Sequence, residues 1–143
     1  MISGNGRLQL TAHDGGVLAD AEPAGPDRWV YPRYELAEQE RVPPGTTGLG
    51  FTLTLLEGEA QCRAIFDEDN GSGYVADLLV APRRGQTLEA VALFEGTTFG
   101  HGWSPPDPNQ RLDPAHIRAV KIGVNTKRGK VKFAVKNLRW VHF

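Results

Sequence analysis

The chain has one cysteine, one methionine, no long apolar run and no surplus of either charge. Each shortage excludes something. With Cys62 alone, no internal disulfide can form, so the fold must rest on its apolar core. At 143 residues that is feasible, because a domain of this size buries about two-thirds of its unfolded surface without staples or metals. Sixteen basic against seventeen acidic residues leave a net charge of -1. Nucleic-acid binders usually carry a marked basic excess, so this balance argues against that class of partner. No stretch approaches the roughly 18 apolar residues of a membrane helix, and residues 1–10 show no apolar run behind a basic end.

Glycine and proline, by contrast, are plentiful: seventeen and ten, clustered about every ten residues with short apolar runs between them. That rhythm predicts an all-β fold, a two-sheet antiparallel sandwich of the jelly-roll kind, in a single domain spanning 1–143. Residues 49–55 alternate strictly, with Leu49, Phe51, Leu53 and Leu55 on one face and small or polar residues on the other. Residues 61–66 read as their antiparallel neighbour across a turn at 57–59. A second turn at 67–73 leads into a strand over 74–80, and another strand spans 87–94. A long loop, 95–111, holds Trp103. Asp113 and Pro114 read as the N-cap and first position of one short helical turn. Val120, Ile122 and Val124 then point inward from a strand over 119–124. In the last strand, 130–142, the apolar phase switches from Val131, Phe133 and Val135 to Leu138 and Trp140, which predicts a bulge near Asn137. Residues 1–17 carry the weakest pattern. Leu8, Leu10, Val17 and Leu18 suggest one or two edge strands there.

Three passages, 48–53, 69–74 and 112–124, follow one another in an order that resembles the galactose-binding-like β-sandwich carbohydrate-binding modules attached to glycoside hydrolases. The complex I intermediate-associated protein fold is related to these modules. Residues 18–22, followed by Trp29, are similar to the family's acidic opening segment. The resemblance implies a jelly roll that recognises a polysaccharide or oligosaccharide. It implies an extracellular or periplasmic setting within a larger secreted protein, although this chain shows no signal. The module would be monomeric or one part of a multimodular chain. It also implies one structural calcium ion near the chain ends, with Asp20, Glu22 and Asn137 at the matching positions. Asn137 stands where an acid is common, and an amide oxygen brings less charge to a cation.

No constellation of catalytic groups stands out. Asp67, Glu68 and Asp69 fall together on an expected hairpin tip, where charge is simply solvated. Cys62 lies in an alternating strand and reads as a small buried hydrophobe. His13, His101, His116 and His142 lack metal-ligand spacing, and no serine sits in a nucleophile elbow. Sugar binding needs aromatic rings as flat apolar platforms, with polar groups to fix orientation. Trp103, beside His101 in a glycine- and proline-flanked loop, is the foremost ring. Trp29 and Tyr31 share a strand face, and Tyr74 stands at a sheet edge or groove rim. Arg63 and Asp77, on neighbouring strands, can pair across the sheet. The expectation is therefore a non-catalytic binding module. Two rivals are a sandwich that docks protein through a flat or charged face, such as 83–84 or 127–132, and a small hydrolase or lyase with a loop-built site.

Overall fold

A computed structural model describes residues 6–24, 28–78, 82–126 and 129–142. Among the described residues eleven strands run in chain order: β1 (Arg7–His13), β2 (Gly16–Glu22), β3 (Trp29–Val30), β4 (Arg33–Glu35), β5 (Gly48–Glu57), β6 (Ala60–Glu68), β7 (Gly73–Asp77), β8 (Thr87–Leu93), β9 (Thr98–Phe99), β10 (Ile117–Thr126) and β11 (Val131–Val141). The helical segments among the described residues are two single 3-10 turns, Glu38–Glu40 and Pro114–His116. None is long and apolar enough to cross a membrane. One sheet has the order β1-β2-β11-β5-β8; the other runs β3-β10-β6-β7-β9, with β4 also paired to β10. All pairings are antiparallel. This is the expected two-sheet sandwich.

The core lies between the sheets. Phe51, Leu53 and Leu55 from β5 and Phe133 and Val135 from β11 meet Phe66 from β6 and Val120, Ile122 and Val124 from β10, all at most 1% exposed. The inward alternation read for residues 49–55 and 119–124 is what seats them there. Cys62 is buried in this core, and burial pushes its thiol up to about 12. The expected bulge is present. Between Lys136 and Arg139 the β11–β5 register shifts, and Asn137 takes a left-handed φ of 57°. The amino-terminal segment forms a full hairpin, β1 with β2.

Two expectations are overturned. β6 is not the neighbour of β5. Both edges of β5 are taken, by β11 and β8, so the short link after Glu57 carries the chain into the other sheet, where β6 pairs with β10 and β7. Asp67 and Glu68 are also no solvated tip. β6 continues through both, and each is 3% exposed. The strand expected over 74–80 is seen to Asp77; Leu79 and Val80 lie outside the described residues, as do Lys127 and Arg128 of the basic run. Asp113 occupies the N-cap position of its turn but makes no side-chain cap bond.

Candidate functional site

Alternation sorts the six-stranded sheet into rows. Rows whose side chains enter the core are Val30–Val124–Cys62, Ile122–Ala64–Ala76 and Tyr34–Val120–Phe66–Tyr74–Phe99. The intervening rows must then face outward: Trp29–Asn125–Gln61, Gly123–Arg63–Asp77, Arg33–Lys121–Ile65–Val75–Thr98, and Glu35–Ala119–Asp67–Gly73. Most sequence-predicted binding residues therefore reach one surface.

At one end, Trp29 and Tyr31 lie with ring centroids 6.0 Å apart. Gly123 leaves the room Tyr31 needs, since a Cβ there would stand 2.8 Å from the Tyr31 ring. The Tyr31 hydroxyl donates to Asn125 Oδ1, and burial pushes that phenol up to about 12. In the middle, Arg63 Nε donates to Asp77 Oδ1 at 2.6 Å, the cross-strand pair that the hairpin predicts. Further along, Asp67 accepts from Lys121 Nζ at 3.0 Å and from Arg33, with its second oxygen Oδ1 buried and unpartnered. Arg33 also pairs with Glu35 at 2.7 Å, so two carboxylates here balance two cations.

Trp103 closes the far end. Its six-membered ring lies over two bare backbones: a Cβ on Gly100 would fall 2.2 Å from Trp103 Cζ2, and one on Gly73 would fall 2.6 Å from Cη2 and Cζ3. The loop is pinned to β7 by Gly100 N–H donating to the Gly73 carbonyl (2.9 Å) and Gly73 N–H donating to Ser104 Oγ (2.8 Å). The Lys121 ammonium sits 5.7 Å from the ring centroid. Even so, half of Trp103 is open to solvent. By strand spacing and rise, the two aromatic ends stand about 24 Å apart on a diagonal of the sheet.

Two expected residues lie elsewhere. Tyr74 is in a core row, 3% exposed, and its hydroxyl donates to Asp107, so it is no part of this surface. Its register with Phe66 forces that phase. His101 is exposed but packs edge-on against Phe99 at 4.9 Å, on the Tyr74 side. A larger apolar cleft, about 380 Å³, opens between the edges of β7 and β8, lined by Leu53, Cys62, Ala76 and Leu88. No aromatic ring lines it among the described residues.

The expected calcium ligands do not converge. Asp20 pairs with Lys132, whereas Asn137 lies five residues further along β11, about 16 Å away, donating to Thr52 Oγ1. Glu22 is two residues beyond Asp20 in the opposite direction, and Asp20 faces Arg7 at 3.8 Å. These three residues do not fit a common ion.

Comparison with solved structures places this architecture. The fold is that of family 11 carbohydrate-binding modules. One such module, from Clostridium thermocellum and solved in complex with a beta-1,3-1,4-mixed-linked tetrasaccharide, superposes with a TM-score of 0.75 at 14% identity, covering 98% of this chain and 85% of that one. The module from the cellulosomal cellulase Lic26A-Cel5E of the same organism gives the same score and identity. An exo-beta-agarase matches at a TM-score of 0.55 and 12% identity, this chain spanning 23% of it. No family model and no curated protein matches the sequence.

The sequence reading missed Asp67 and Arg33 as parts of the surface, and missed the glycine cradle. The signal for Asp67 was available in phase: Arg63, Ile65 and Asp67 continue one alternation, so Asp67 belongs to the strand and not to the turn. Lys121, set between Val120 and Ile122, was legible as an outward polar residue. Nothing in the sequence pairs Gly73 with Gly100.

Proposed function

We propose that the chain is a non-catalytic carbohydrate-binding module whose ligand, a polysaccharide or oligosaccharide, lies along the outer face of the six-stranded sheet. The observation that carries the reading is Trp103: a half-exposed indole seated on two glycine backbones, at the end of a diagonal that begins with Trp29 and Tyr31. A pyranose presents an apolar C–H face, and an indole seated on the two glycine backbones removes that face from water. Arg63, Asp77 and Lys121 supply fixed donors and acceptors between the rings, the pattern by which polar groups orient a ligand that apolar contact binds. Because Arg63 is already paired with Asp77 and Lys121 with Asp67, these groups are held in place before the ligand arrives, which limits the ordering entropy of binding.

The fold shared with a module solved on a mixed-linked tetrasaccharide supports the ligand class, and the agarase match supports a place within a larger secreted glycan-degrading enzyme. A mixed-linkage β-glucan and agarose are accordingly the first ligands to try. Affinity electrophoresis and calorimetry against a panel of plant and marine polysaccharides test the reading. Retardation by one glycan class, abolished in Trp29→Ala and weakened in Arg63→Ala proteins that remain folded, is the expected result. A folded protein that ignores every glycan in the panel would overturn it and turn attention to a protein partner.

A further inference from the structure

On the side of the sandwich where β6 ends, a cavity of about 260 Å³ is lined by Glu68, Asp69, Asn70, Asp107, Asp113 and His116, among others. Neither lysine nor arginine lines it among the described residues. Arg41 pairs with Asp69 at 3.0 Å, and His116 faces the same acid at 3.5 Å, so the nearby positive charge is directed there. Asp107, 8% exposed, is left with neutral donors: the Tyr74 hydroxyl from β7, and Asn70 Nδ2 at 3.4 Å. Glu68 is 3% exposed, and its Oε1 has no hydrogen-bond partner. The Asp107 side chain stands within hydrogen-bond reach of Glu68, and Asp113 adds a third negative charge nearby. Two carboxylates cannot hydrogen-bond, because neither has a donor; one proton between them supplies it.

Burying both acids as anions side by side is costly. A single shared proton removes one charge and makes a short, charge-assisted O–H···O bond. From this geometry we infer that Glu68 and Asp107 are a proton-sharing pair that positions the Trp103 loop, so that loss of the proton loosens the loop and weakens binding at the sheet face. The two acids stand on unequal supports. Glu68 ends a strand: it is in register with Ile117 of β10, and its N–H donates to the Ser72 carbonyl at 2.9 Å. Asp107 stands in a loop, and Pro105 and Pro106 link it to Ser104 with fixed φ angles, a stiff connection. Ser104 Oγ in turn accepts from the Gly73 N–H, beside the Trp103 ring. Repulsion between two anions therefore displaces the loop and not the strand, and the prolines carry that displacement to the seat of the indole. Burial, and then the Asp107 charge, push Glu68 up to about 7, so the pair holds its proton below that pH and loses it above. The loop half of the inference stands without the glycan reading; the binding half rests on it.

The test uses the whole chain at pH 5.5 and pH 8.5. Hydrogen exchange of residues 100–113 is followed against that of 49–55, so the ordinary pH dependence of exchange cancels. The wild-type loop should lose protection relative to the core at the higher pH. Glu68→Gln, neutral at both pH values and still able to donate to Asp107, should keep it, and so should Asp107→Asn. A pH effect owed to His116 would persist in both variants. Calorimetry with the glycan that retards the wild type is the second readout. Its Kd should rise at least about threefold between the two pH values, and by no more than the roughly 30-fold of the whole indole contact. Glu68→Gln should abolish that rise. Equal loop protection at both pH values, or a pH effect unchanged in both folded variants, would overturn the inference. A loosened loop with a glycan Kd that ignores pH would overturn its binding half. If no glycan binds at either pH, the glycan reading falls, and exchange still decides whether the pair positions the loop.

Discussion

Moving Trp103 without removing it separates the platform from its chemistry. Gly100 has no left-handed φ, so alanine is allowed by the backbone, yet its Cβ would fall 2.2 Å from Cζ2 and 2.4 Å from Cε2 of the indole. Gly100→Ala must lift the ring from the sheet. About half of an indole's ~200 Å² is open here, and a sugar covering most of that ~100 Å² at ~25 cal/mol/Å² gains about 2 kcal/mol. Losing that contact corresponds to a roughly 30-fold rise in Kd. Trp103→Ala should show the full effect, and Gly100→Ala should show most of it with the indole still present. Calorimetry against the glycan that retards the wild type gives the two constants, and the Tm of each variant reports folding. Variants of unchanged Tm that bind within threefold of wild type would refute the stacking argument.

Three further outcomes follow from buried groups. Asp67→Ala leaves Lys121, 7% exposed, without its carboxylate, while Arg33 keeps Glu35 at 2.7 Å; the expected loss is about 3 kcal/mol, a fall in Tm of roughly 10 °C by calorimetry. Cys62, buried and with its thiol pushed up to about 12, should resist a thiol reagent in the native protein at pH 8 and react fully once unfolded. Burial, and then the Asp107 charge, push Glu68 up to about 7 from an ordinary 4.5. Between those values the folded state keeps a proton that the unfolded state releases, so its contribution to stability is full below about pH 4.5 and fades as pH rises through 7. Tm should fall from pH 5 to pH 8, and Glu68→Gln should flatten that slope.

How much of this was legible depended on whether the information was local. Period-two alternation is a property of neighbouring residues, so residues 49–55 and 119–124 declared their inward faces, and the phase switch after Val135 located the bulge at Asn137. The Arg63–Asp77 pair followed from one hairpin. Strand order is not local. A two-residue link between strands reads as a hairpin, but here it crosses between sheets because β11, 74 residues later, occupies the edge of β5 that β6 would need. Tyr74 was placed on the wrong side because a strand's first residue gives no phase by itself; its pairing with Phe66 does. The calcium positions came from resemblance, and the register of β2 against β11 sets them far apart.

The central place of β11 also bears on how the chain is made. β11 lies between β2 and β5, so the five-stranded sheet consists of two separate pairs, β1 with β2 and β5 with β8, until the segment from Val131 to Val141 has left the ribosome. At about 5–20 residues per second, the earlier strands wait several seconds with β2 and β5 each presenting an open edge and an apolar inner face. Closure of this sheet is thereby deferred until β11 has emerged. A ribosome stalled before residue 131 would hold a chain that sticks to its neighbours, so the demand for a holding chaperone falls on the nascent protein and not on the finished one.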